Sequence, residues 1–212
     1  MSQIEIKNIL GKYLPEGSVD ICALWITEKS IHLKITRGRA TKYGDYKPLG
    51  PGKGHHISVN HDLNPYSFLI TFIHEVAHLH CFNMYGQRHD PHGREWKNEF
   101  GYLLGYFIQQ NVFPQDMEAV LKEYLKNPSA SSCSDPDLHR ILKKYDQSLK
   151  SGVIHLEELP RDSLFYLHQS KSGQLFKKGK RLRTRFHCLE LNSGREYLVN
   201  ALSEVVPAAN SH

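Results

Sequence analysis

Paired cysteines are the first thing missing from this 212-residue chain: Cys22, Cys81, Cys133 and Cys188 stand singly, with no Cys-x-x-Cys anywhere. That excludes a cysteine-pair zinc ribbon and a disulfide framework, and free thiols point to a reducing compartment. No apolar run approaches the roughly 18 residues of a membrane span. Met1-Ser2-Gln3-Ile4-Glu5-Ile6-Lys7 lacks the basic-then-apolar order of a signal peptide. The expectation is a soluble cytoplasmic protein with no membrane partner. Strong charge of one sign is missing too: 27 basic against 22 acidic residues leave +5 and a pI near 8.9, which fits a nucleic-acid partner without requiring one. What is present is 40% hydrophobic residues, enough for a core, in a length that suits one ordinary domain plus a small second one.

Histidine is plentiful, with 14 copies. Two of them lie in Phe72-Ile73-His74-Glu75-Val76-Ala77-His78-Leu79, a His-Glu-x-x-His pattern inside an apolar run. On a helix His74 and His78 fall one above the other, so two ring nitrogens can converge on one ion. Glu75 sits about 100° round, where its carboxylate reaches a water on that ion rather than the ion itself. That combination is the chemistry of a zinc hydrolase: neutral nitrogen ligands, a water brought to a pKa of about 7, and a carboxylate base. In a chain so rich in histidine the motif arises by chance in about one shuffled sequence in twenty, so it needs context.

The context comes from the flanks. Asn64-Pro65 is a side-chain cap followed by the residue best suited to a first helical position, and Gly86 is a stop, so a helix is predicted from Pro65 to Tyr85. Its apolar residues surround nearly the whole circumference, which predicts burial. Two imidazoles and a carboxylate buried there are costly unless bonded, and metal ligation satisfies all three. A turn-rich loop then leads to a second helix, Arg94 to Gln109, with Trp96, Phe100, Leu103, Leu104 and Phe107 on one face. A catalytic zinc needs a third protein ligand and an open position. His92, followed by Gly93 at the mouth of this helix, is the natural donor, with His89 as the rival.

Upstream, Ile6, Ile9, Leu10 and Tyr13 predict an opening helix. Val19, Ile21, Ala23 and Trp25 alternate with other residues, as do Ile31, Leu33 and Ile35, which predicts a hairpin turning at Glu28-Lys29-Ser30. Arg37 to His56 is basic and full of turn formers and reads as a strand around Ala40 to Tyr43 followed by a loop. His56-Ile57-Ser58-Val59-Asn60 is the candidate edge strand for pairing with an extended substrate backbone. Downstream, Met117 to Leu125 and Leu138 to Tyr145 predict two further core helices.

After Ser151-Gly152 the texture changes to short alternating runs: Phe165 to Gln169, Gln174 to Lys177, Leu182 to Leu191 and Glu196 to Asn200. This predicts a small antiparallel β module. From Arg161 to Glu196 it carries nine Lys or Arg against three acids. Lys177, Lys178, Lys180, Arg181, Arg183 and Arg185 are the candidate nucleic-acid contacts, with the three arginines expected on one strand face as a phosphate stripe beside Phe186 and Tyr197.

Ile57-Ser58-Val59-Asn60, Leu63-Asn64, Phe68-Leu69 and the His-Glu-x-x-His motif are followed, with 13 residues intervening after His78, by His92-Gly93-Arg94-Glu95-Trp96. Over about residues 15 to 110 this resembles the SprT-like metallopeptidases, relatives of Spartan. The resemblance implies a zincin-like fold, and with the residue pattern after Ser151 the expected chain is α+β: a zincin-like protease domain over residues 1–150, with a small mixed sheet and the motif on a buried helix, then the basic antiparallel module over 151–212. It implies one zinc on His74, His78 and His92, Glu75 as catalytic base, a protein or peptide substrate and no small-molecule cofactor. Spartan-type members further imply substrates bound or crosslinked to DNA. Many members carry a four-cysteine zinc ribbon after the protease domain; here only Cys188 falls in that region, so no second zinc is expected.

Overall fold

The computed structural model describes residues 2–39, 42–86, 88–129, 135–146, 152–168 and 173–208. They fall into two compact units, Met1–Asp146 and Gln147–His212. The protein is mixed α and β, and no helix among the described residues is long and apolar enough to cross a membrane. Cys133 lies outside the described residues; Cys22, Cys81 and Cys188 are buried free thiols.

The first unit opens with α1 (Gln3–Leu10), whose start is a reciprocal cap: the Ser2 hydroxyl accepts from the Glu5 N–H, and the Glu5 carboxylate accepts from the Ser2 N–H. Val19–Glu28 is then a helix, α2, and not the expected first arm of a hairpin. The segment satisfies both periods. Its apolar residues alternate, yet Cys22, Ala23 and Ile26 also stand at i, i+1 and i+4, and this stripe is what the core takes. Trp25 leaves that stripe to meet Phe107 edge-on, with ring centroids 5.5 Å apart.

A three-stranded mixed sheet follows, built from β1 (Ile31–Thr36), β2 (Gly44–Pro48) and β3 (His55–Asn60) in the order β1-β3-β2. β1 runs parallel to β3, and β2 antiparallel. The expected edge strand is therefore the central one: both sides of β3 are paired, Ile57 and Val59 are fully buried, and no free edge remains there for another chain. The free edge nearest the motif helix belongs to β2, in the segment expected to be mostly loop. Ala40 and Thr41, where a strand is expected to begin, lie outside the described residues.

The motif helix is α3 (Pro65–Tyr85), bounded as predicted by Asn64 and Gly86. The Asn64 side-chain oxygen accepts from the Ser67 N–H at 2.9 Å, while its amide donates to the Leu142 carbonyl at 2.8 Å. One residue thus caps α3 and ties it to the helix carrying Leu142. That helix, α6 (Pro136–Lys143), completes the unit with α4 (Arg94–Gln109) and α5 (Gln115–Tyr124). Phe68, Phe72, Trp96, Phe100 and Phe107 are all buried between them.

The second unit is a six-stranded antiparallel sheet: β4 (Ile154–His155), β5 (Leu164–Leu167), β6 (Leu175–Arg181), β7 (Arg185–Glu190), β8 (Glu196–Asn200) and β9 (Glu204–Pro207), in the order β4-β9-β5-β6-β7-β8. Phe165, Phe176, Phe186, Val199 and Val205 form its one-sided core. The two-residue β4 and the four-residue β9 are too short to leave a periodic signal of their own.

Candidate metal centre

One face of α3 carries Thr71, Glu75, His78 and Phe82 at i, i+4, i+7 and i+11, and β2 lies along it. Gly44 faces Thr71 and Glu75, and two residues on Tyr46 faces His78 and Phe82, as strand alternation requires. The approach at Gly44 is close: a Cβ there would stand 2.5 Å from Glu75 Oε1 and 2.7 Å from Thr71 Cγ2. The backbone entering β2 is fixed from below by buried Asn60, whose amide donates to the Lys42 carbonyl at 3.0 Å. The Asn60 side-chain oxygen accepts from Arg39 Nε at 2.8 Å, and Arg39 Nη2 also donates to Ser58 Oγ at 3.2 Å.

His74 and His78 lie one turn apart on α3, and the turn before α4 brings His92 against them. Their Nε2 atoms form a nearly equilateral triangle, 3.2 Å between His74 and His78 and 3.1 Å from His92 to each. A metal about 2.0–2.1 Å from three tetrahedral nitrogens would hold them about 3.3 Å apart, so the triangle has the right size. Its chemistry also calls for a cation. A ring nitrogen is either a donor or an acceptor, so in any protonation of three nitrogens two like groups face each other, whereas one cation takes all three lone pairs. Among the described residues no fourth His, Cys, Asp or Glu joins the group.

Trp96 is the floor of the triangle. Fully buried, it places its ring 4.6, 5.5 and 4.8 Å from those of His74, His78 and His92, and donates its indole N–H to the His74 carbonyl at 3.4 Å. Tyr46 lies nearly parallel to His78, 10° between planes, and its hydroxyl meets His55 Nδ1 at 3.1 Å. In the sequence Trp96 is marked by the apolar face of its helix and by the His92-to-Trp96 motif, whereas nothing marks Gly44 or Tyr46, which sit among turn formers. His89, the rival ligand, stays out of the triangle and packs near Tyr85.

Electrostatics keeps these rings neutral. Burial, helped by the neighbouring His78 and His92, pushes His74 down to about 3, and burial with His92 and His89 pushes His78 down to about 4. His92 is lowered by burial as well. Neutral imidazole is the ligating form. Glu75, 6% exposed, moves the other way: burial and the Asp45 carboxylate raise it to about 8, against the opposing pull of Lys42 and Arg39. A dication beside it would draw that value back down.

The candidate nucleic-acid residues are dispersed. Arg181 ends β6, Arg185 begins β7, and Leu182 to Thr184 is the turn between them, so the three arginines straddle a hairpin tip and share no strand face. The expected stripe does not form, because Arg183 lies in the turn and Arg181 and Arg185 lie on two different strands. Lys178 is interior, only 3% exposed: its ammonium donates to the Glu157 and Leu159 carbonyls and lies 4.0 Å over the Phe186 ring. Lys177 is paired with Asp162 at 3.1 Å and Arg181 with Glu157 at 3.6 Å, while Lys180, Arg183 and Arg185 are exposed.

Comparison with known proteins adds one finding: residues 25–101 match the model of the SprT-like family. No curated protein and no solved structure matches the chain.

Proposed function

We propose that this SprT-like chain is a zinc-dependent endopeptidase, with His74, His78 and His92 holding the metal and Glu75 serving as the base. The observation that carries the reading is the triangle of three ring nitrogens at 3.1–3.2 Å, beside a buried carboxylate one residue from a ligand. Zinc held there supplies Lewis-acid polarisation of the scissile carbonyl and a water acidic near neutral pH. Glu75 takes the proton of the attacking water and returns it to the leaving amine. Burial raises the proton affinity of Glu75 and the charge of a bound metal lowers it, and it is the ionised form favoured by the metal that serves as the base. Trp96 keeps the rings in register, and the shared helix face sets Glu75 beside the ligands without making it one.

The substrate backbone is held by the outer edge of β2, which presents unpaired main-chain groups along the helix that carries the site. Pairing of this kind reads main chain more than side chains. The substrates are proteins or peptides, including proteins associated with DNA, and Lys180, Arg183 and Arg185 at the β6–β7 hairpin offer cations for phosphate.

Zinc analysis combined with proteolysis, with and without single-stranded DNA, tests the proposal: one zinc per chain and cleavage that disappears in Glu75→Gln are expected. Tight zinc without Glu75-dependent cleavage overturns it. That outcome would favour a nucleic-acid-binding protein with a structural metal, whose DNA affinity falls steeply with salt and with the loss of Arg181, Arg183 and Arg185. A structural site, however, is more often closed by a fourth protein ligand, and none joins this one among the described residues.

A further inference from the structure

Beside His92 the surface opens into a cavity of about 320 Å³ that the zinc chemistry does not use. Its polar wall is Arg94, Lys97 and Lys126, and Leu125 and buried Pro128 contribute apolar surface. No Asp or Glu lines it. Lys126 is paired with Glu123, but Lys97 donates only to a neutral partner, Asn127 Oδ1, at 2.7 Å. Arg94 is exposed and has no ion-pair partner among the described residues. The two cations one helical turn apart on α4 therefore have no carboxylate within ion-pair distance among the described residues, and they stand next to a residue of the metal triangle.

We propose that this cavity is a substrate subsite for an acidic side chain, giving the peptidase a preference for Asp or Glu at one position near the scissile bond. The inference rests on the endopeptidase reading. Arg94 supplies a planar fork of donors and Lys97 a point charge, which together suit a carboxylate. The volume suits a side chain with its flanking backbone, and apolar Leu125 and Pro128 cover the methylenes below the charge. A nucleic-acid backbone is the poorer occupant, since its regularly spaced phosphates call for an extended cationic track and these cations gather at one concavity.

The test is cleavage of a random peptide library, blocked at both ends, by the zinc-loaded full chain, with the cut sites read by mass spectrometry. Asp and Glu should be enriched about 3- to 10-fold at one subsite, the scale of one or two partly exposed ion pairs. The enrichment should vanish in the Arg94→Gln/Lys97→Met double variant and survive in Arg94→Lys, with zinc content as the control for folding. Enrichment at no subsite, or enrichment that persists in the double variant, overturns the subsite and leaves the peptidase reading intact. Acidic selection seen only with free carboxyl termini overturns it in favour of terminal-carboxylate capture. Salt-dependent binding of a single-stranded oligonucleotide that the double variant abolishes assigns the cations to phosphate and overturns it too. No cleavage of any library member by the wild type removes the peptidase reading and this inference with it.

Discussion

Gly44→Ala should lower turnover without removing the metal. The added methyl would stand 2.5 Å from Glu75 Oε1 and 2.7 Å from Thr71 Cγ2, where ordinary contact begins near 3.4 Å. Relief needs a displacement of 3.4 − 2.5 = 0.9 Å at the carboxylate. The strand cannot easily yield it, because Gly44 is in register with Val59 of the central strand and the preceding backbone is bonded to buried Asn60. The Thr71 side of α3 is buried and tied down by Thr71 Oγ1 donating to the Ser67 carbonyl at 2.7 Å. The softest element is the Glu75 side chain, so it moves. A catalytic group misplaced by about 1 Å costs about 100-fold in rate, or roughly 2.7 kcal/mol of barrier. The three ring nitrogens are not touched. Kinetics on an unstructured protein substrate with parallel zinc analysis should show kcat down about 100-fold, KM within a few-fold and full zinc occupancy. Adding Glu75→Gln should cause little further loss, since both changes act on one carboxylate. A variant with wild-type kcat, or one that loses zinc instead, would refute the argument that Gly44 provides clearance for Glu75.

His92→Ala should abolish stoichiometric zinc binding and His89→Ala should leave it intact, as measured by metal content after dialysis; the reverse pattern would make His89 the third ligand. Above pH 6.5 His74 and His78 are neutral in both the folded and the unfolded chain. Below it the unfolded chain takes up protons that the buried rings, with pKa pushed to about 3 and about 4, refuse. Denaturation of metal-free protein should therefore show stability falling as pH drops from about 6.5 towards 4, and zinc should leave only at the acid end, where the rings themselves take up protons or the fold is lost. Zinc lost at about pH 6 from a chain that is still folded would contradict this. Lys178→Ala should destabilise the second unit by about 2–3 kcal/mol, because two carbonyls lose their buried donor, whereas Lys180→Ala should fall within about 0.5 kcal/mol. Urea denaturation compares the two, and equal effects would contradict the interior role of Lys178.

Much of the helical architecture was legible because its signals are local. Asn64-Pro65 and Gly86 bound α3, and an apolar stripe marks α4, so the helices appear where capping and periodicity put them. The meeting of His74, His78 and His92 was legible for the same reason: two share a helix face and the third stands at the mouth of the next helix. What was not legible is set by partners distant in sequence. Val19–Glu28 fits both a helix and a strand, and only packing of Cys22, Ala23 and Ile26 decides. Gly44–Pro48 is a strand because β3 pairs with it, and the place of β3 at the centre of its sheet depends on two neighbours that no local pattern announces. With β2 hidden, Gly44 and Tyr46 were hidden too. Lys178 looked like one more cation in a basic run, but the β6–β7 register turns it inward opposite Cys188.

Glu75 is proposed to act on a water held by zinc on His74, His78 and His92, and one comparison addresses this directly: cleavage of an unstructured protein by zinc-loaded wild type and zinc-loaded Glu75→Gln at matched metal content. A loss of about 10²- to 10⁴-fold in kcat/KM, the range for a general base, with zinc affinity preserved is the predicted result. Equal rates for the two proteins, or no cleavage by either with one zinc bound per chain, would contradict it.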